Sequence, residues 1–79
     1  MNVTSRSELF AEELALSLND RASLQLYESF AQRYPESFLR RILNEVLEVP
    51  AERIKKSRGA LFTYLLKKYA NQSHNNNRD

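Results

Sequence analysis

The chain of 79 residues has no cysteine, no tryptophan, a single glycine, a single histidine and two prolines. Without cysteine there is no disulfide, no thiolate nucleophile and no cysteine-ligated zinc, which suits a reducing cytoplasm. The one histidine, His74, lies in a polar run, NQSHNNNRD, so base–nucleophile catalysis has no anchored base. The one glycine, Gly59, cannot build a phosphate-cradling loop. No apolar run reaches the roughly 18 residues of a membrane span. Residues 1–6, MNVTSR, lack the apolar core of a signal peptide. Glu8, Glu12 and Glu13 cluster, but as the solvated face of a helix rather than a metal site. A chain this short also leaves hardly any room for a substrate cavity. The expectation is a cytoplasmic protein that is not an enzyme and uses no cofactor or metal.

What is present is enough for one core. Hydrophobic residues make up 42% of the chain, four Phe and four Tyr among them, with 28% charged residues and a mean hydropathy of −0.61. Such a composition folds as a single domain rather than remaining disordered. At this size only roughly 60–65% of the unfolded surface is buried, so every amphipathic element must contribute to the same core.

Capping residues and the 3.6-residue period mark an all-α bundle of four helical segments over 8–18, 21–33, 36–48 and 51–70. Residues 1–70 are expected to form the domain and 71–79 a disordered polar tail. Ser7 is the expected N-cap of the first segment, where Phe10, Ala11, Leu14, Ala15 and Leu18 face inward. Leu9 and Leu16 fall on the opposite side, a candidate contact for a protein partner or a homodimer. Asn19-Asp20 offers the next cap, and Leu24, Tyr27, Phe30, Ala31 and Tyr34 form the second stripe. Pro35 stops that helix and enters the first turn of the third. There Phe38, Leu39, Ile42, Leu43, Val46 and Leu47 face inward, with Glu36–Arg40 and Arg41–Glu45 as i, i+4 ion pairs outside. Val49-Pro50 ends it in the same way.

The net charge of +2 conceals a division. Residues 1–52 carry five cations and nine carboxylates, whereas residues 53–79 carry seven cations and one carboxylate. A split of this kind can reflect an anionic partner, or a basic helix packed beside acidic ones.

The basic segment is RIKKSRGALFTYLLKKYA, residues 53–70. As one continuous helix it gathers Ile54, Leu61, Phe62, Leu65, Leu66 and Tyr69 inward, and Arg53, Lys56, Ala60, Thr63, Tyr64, Lys67 and Lys68 outward. Arg58 objects, because it falls within the apolar stripe, where an unpaired guanidinium is costly. Either it snorkels out or pairs with a carboxylate, or the segment breaks near Ser57. A break makes Ser57 an N-cap and places Arg58, Gly59 and Ala60 in a first turn whose free amides, beside Lys55, Lys56 and Arg58, form an anion site. Gly59 then either admits a phosphate or lets another helix pack closely.

Helices three and four also invite comparison with a helix-turn-helix, through Leu43, Leu47, Val49 and Ile54. Asn44 and Glu48 stand where that motif usually has small residues, and the resemblance extends to no family. The function expected is nucleic-acid binding, duplex DNA first. Arg53, Lys56, Lys67 and Lys68 contact phosphates, Lys55, Arg58 and the 57–59 backbone form a second anion contact, and Thr63 and Tyr64 reach sugars or base edges. The alternative is a protein-interaction or self-association module without nucleic-acid activity. An amphipathic helix on a membrane is disfavoured, because the apolar face is consumed by the core.

Overall fold

A computed structural model describes the backbone of residues 5–77 and the side chains of residues 5–72. Four α-helices occupy them, with no strand: α1 (Arg6–Ser17), α2 (Leu24–Arg33), α3 (Glu36–Glu48) and α4 (Arg58–Asn77). Two 3-10 turns, Arg21–Ser23 and Ala51–Arg53, precede α2 and α4. The all-α, four-helix architecture is therefore the one its periodicity implies. α4 runs on through Asn77, past the limit of 70 expected for the fourth segment; of the polar tail expected over 71–79, residues 78–79 and the side chains beyond residue 72, that of His74 included, lie outside the described residues.

Both ends of α1 follow from short-range chemistry. Its N-cap is Ser5, not Ser7, because only Ser5 stands three residues before a glutamate. The Ser5 hydroxyl accepts the Glu8 N–H at 3.1 Å and Glu8 Oε1 accepts the Ser5 N–H at 2.9 Å, a complete capping box. At the other end Asn19 adopts a left-handed conformation (φ 54°), which asparagine tolerates better than most residues. The Asn19 N–H donates to the Leu16 carbonyl at 3.1 Å and the Asp20 N–H to that of Ala15 at 2.8 Å, a Schellman stop. Asp20 thus ends α1 and makes no capping bond to the next helix. Residues 21–23 go into the 3-10 turn, and α2 begins only at Leu24.

The range expected for α3, 36–48, is the one observed. Pro35 lies at its N-cap with extended geometry, just outside the first turn, and Val49 is extended as the residue before Pro50 should be.

Helix α1 packs on α2 and α3 on α4 around one core. Phe10, Ala11, Leu14, Ala15 and Leu18 meet Tyr27 and Phe30, Leu39, Ile42, Leu43 and Val46, and Phe62 and Leu66. Tyr27, Phe30 and Phe62 form an aromatic triangle with ring centroids 6.0–6.4 Å apart, Tyr27 edge-on to Phe62. Leu47 departs from its expected place in the core and is 45% exposed. It lies one residue round the helix from Val46, past the edge of the stripe.

Across α1 and α3 runs a chain of charges. Arg40 grips Glu13 with both terminal nitrogens at 2.8 and 3.0 Å and donates from Nε to Glu36 at 2.9 Å. Arg6 donates to the other Glu36 oxygen at 2.9 Å, and the Arg40 guanidinium lies 4.8 Å from the Phe10 ring centroid. The expected Glu36–Arg40 pair forms. The expected Arg41–Glu45 pair does not, because Glu45 accepts the Tyr69 hydroxyl, whose oxygen lies 2.8 and 3.0 Å from its carboxylate oxygens. That bond to an anion raises the Tyr69 phenol above its ordinary range.

Hydrogen bonding to Arg40, with the nearby charge of Arg6, lowers the Glu36 carboxyl below its ordinary value. A carboxyl lowered on folding adds stability above its unfolded pKa, and the contribution fades as pH falls through the folded value. Glu36→Gln is therefore expected to melt below wild type at pH 7, with the two melting temperatures converging as pH falls through and below the ordinary carboxylate range. Thermal unfolding followed by circular dichroism across that range reads the convergence directly.

Candidate nucleic-acid interface

The basic segment takes the broken geometry. A 3-10 turn carries residues 51–53, with the Arg53 N–H on the Pro50 carbonyl at 2.9 Å and the Ile54 N–H on that of Ala51 at 3.1 Å. Helix α4 then starts at Arg58 under a Ser57 cap, whose hydroxyl accepts the Ala60 N–H at 3.0 Å and whose carbonyl accepts the Leu61 N–H at 3.1 Å.

The break gives Arg58 a partner that neither sequence alternative contained. Its Nη1 donates to the carbonyls of Val46 and Val49 at 2.7 and 3.0 Å. These belong to the last turn and C-cap of α3, where the Val46 carbonyl also accepts the Val49 N–H at 3.2 Å, the Val49 carbonyl lies past the helical ladder, and the dipole end is negative. A half-buried guanidinium suits that end, so Arg58 joins the end of α3 to the start of α4.

Gly59 is buried against a second internal partner. A Cβ on it would lie 2.6 Å from the Tyr27 hydroxyl oxygen and 2.7 Å from Asp20 Oδ2. Tyr27 is 1% exposed, so its hydroxyl requires a partner, and it donates to Asp20 Oδ2 at 2.8 Å. Burial, reinforced by the Asp20 carboxylate, pushes the Tyr27 phenol well above its usual range. The carboxylate thus stands against the first turn of α4, where the helix dipole favours negative charge. The phosphate expected at the 57–59 backbone would meet this carboxylate, which closes the Gly59 side of the helix start.

The other cations are differently placed. Arg53, Lys55 and Lys56, around the 3-10 turn, and Lys67 and Lys68, on α4, are all exposed. Among the described residues none of the five has a carboxylate oxygen within 4.0 Å, whereas the ion pairs that do form use Arg6, Arg40, Glu13 and Glu36. No ion pair among the described residues therefore joins the acidic part to the basic part, and Arg21, Arg33 and Arg41 are exposed without one as well. Thr63 is half-buried and Tyr64 is 61% exposed.

Between α2 and α4 runs a shallow groove lined on one side by Leu26 of α2 with Asp20 and Ser23 before it, and on the other by Ser57, the cap of α4, and by Gly59, Ala60, Thr63, Tyr64 and Lys67 of α4; Asp20 is already bonded to the Tyr27 hydroxyl. Leu26, 43% exposed, was not singled out by the sequence, because it falls off the stripe of Leu24, Tyr27 and Phe30. The parts played by Asp20 and Tyr27 at Gly59 were also missed. The only signal was the asparagine–aspartate pair, which suits a helix stop as well as a helix start.

No family model, curated protein or solved structure matches this chain.

Two substitutions test the junction. Ala at an interior helical position is favoured over Gly by about 1 kcal/mol, whereas overpacking costs about 1–3 kcal/mol. Tyr27 is held by the core and cannot retreat, so Gly59→Ala is expected to destabilise, and to cost less in a Tyr27→Phe background. Arg58→Met keeps the apolar stem but takes the donor from the Val49 carbonyl and the second donor from that of Val46, for an expected loss of about 1–3 kcal/mol. Urea titrations of the single and double variants measure both effects.

Proposed function

We propose that the domain binds the phosphate backbone of a nucleic acid, duplex DNA first, through Arg53, Lys55, Lys56, Lys67 and Lys68. The reading rests on one observation: five exposed cations, clustered in sequence over 53–68, have no carboxylate partner among the described residues. Cations that the protein leaves uncompensated are available to displace counterions from a polyanion, and that release drives association. Lys56, just before α4, and Lys67 bracket its first two and a half turns, a rise of about 13.5 Å, which suits successive phosphates along one groove edge. Ser57, Thr63 and Tyr64 lie between them as candidates for sugar and base-edge contacts.

Arg58 and Gly59 leave the contact set in this proposal, since one caps α3 and the other packs on Tyr27. Docking in the manner of a helix-turn-helix is not part of it either. That unit joins its helices by a 3–4-residue turn, while α3 and α4 are separated by residues 49–57. The role is one of binding rather than catalysis, and a chain without cysteine is suited to a reducing cytoplasm. No helix among the described residues is long and apolar enough to cross a membrane.

The test is the affinity for a short DNA duplex as salt is varied. Five phosphate contacts predict a log–log slope approaching roughly −4.5, about 0.9 for each phosphate neutralised. Lys56→Glu with Lys67→Glu should abolish binding and leave the circular dichroism unchanged. Absence of binding at about 50 mM salt, or a slope near zero, sinks the proposal.

A further inference from the structure

We infer that the chain also associates with itself head to tail, α1 of one copy lying in the α2–α4 groove of the next. Four exposed apolar side chains outside the core motivate the inference, two on each surface. On α1, Leu9 and Leu16 are 56% and 65% exposed and, seven residues apart, lie one above the other on the side away from Phe10, Leu14 and Leu18. In the groove, Leu26 and Tyr64 are 43% and 61% exposed and flank the small side chains of Ala60 and Thr63. The groove face of α4 from Ala60 to Lys67 spans the same two turns, about 10.5 Å, as Leu9 to Leu16. Small residues at Ala60 and Thr63 leave space for a helix to approach.

Charge decides which surface meets which. Glu12 and Glu13 flank the α1 leucines on either side. Glu13 is neutralised by Arg40, but Glu12 is exposed with no cation within 4.0 Å among the described residues. Two α1 faces brought together would oppose like charges, whereas α1 against the groove sets Glu12 beside Lys67. The acidic excess of residues 1–52 and the basic excess of residues 53–79 favour the same pairing over longer range. Because the surfaces differ, a head-to-tail pair keeps one of each free, and association proceeds into a ring or an open chain rather than stopping at a symmetric dimer.

Sedimentation velocity of the full chain, freed of nucleic acid by nuclease treatment and cation exchange, provides the test, with circular dichroism as a check on folding. In low salt the weight-average mass should rise with concentration, and the rise should shrink at about 0.5 M salt. Leu16→Glu and Tyr64→Glu should each weaken association at least tenfold, while their equimolar mixture recovers a heterodimer and nothing larger. Glu12→Lys and Lys67→Glu should each weaken it, and the double variant should recover it. A monomer at every concentration overturns the inference. So does a Tyr64→Glu variant that still associates, which assigns the contact to paired α1 faces, or a Leu16→Glu variant that still associates, which assigns it to paired grooves. None of these outcomes depends on whether the cations also bind DNA.

Discussion

The hydroxyl of Tyr27 is the group around which the molecule is arranged. A large aromatic ring fills the centre of the core, and its single polar atom must be satisfied without admitting water. Asp20 supplies the acceptor at 2.8 Å, and the Schellman stop of α1 determines where Asp20 can be. Only a residue without a side chain can then lie against the pair, and Gly59 is the only glycine in the chain. The first turn of α4 is thereby positioned against the α1–α2 corner, while Arg58, one residue earlier, ties it to the last carbonyls of α3. Phe62 and Leu66 follow at helical spacing into the remaining gap, and Phe62 completes the aromatic triangle with Tyr27 and Phe30.

That arrangement explains why the charges separate as they do. Satisfying the end of α3 employs Arg58, and complementing the start of α4 employs Asp20, so the junction contains one charge of each sign. Glu13, Glu36, Arg6 and Arg40 compensate one another across α1 and α3. The remaining cations of the basic segment are left on the outside. An exposed ion pair contributes little stability on its own, so the outward cations represent no loss to the fold.

The helices were legible in the sequence to the extent that periodicity determines them. α3 has six apolar residues at core spacing between two prolines, and both its limits agree with expectation. Inward faces were equally readable on α1 and α2, since Phe10, Leu14, Tyr27 and Phe30 recur with the period of a buried stripe. Capping was less so, because Ser5 and Ser7 are both acceptable and only the reach of Glu8 selects between them. Leu47 misleads because it adjoins the stripe in sequence but lies about 100° round the helix from Val46, past the stripe's edge. The site was legible as a choice rather than an answer. The conflict at Arg58 announced the break at Ser57, but partners twelve residues back, in main-chain carbonyls, leave no mark in side-chain patterning. Asp20 and Tyr27 at Gly59 are a contact across some forty positions, and no local rule connects them.

The same separation has a consequence for the order in which the molecule is assembled. α1 and α2 are joined by a tight corner, and Asp20 meets Tyr27 across seven residues, so this pair closes a small loop at little entropic cost. Gly59 must cross the whole of α3 to reach them, and its recess does not exist until the corner has formed. α4 therefore docks on a corner that is already formed, and its detachment uncovers Phe62 and Leu66. Protection of its amides from solvent hydrogen exchange would accordingly fall below that of α1 and α2.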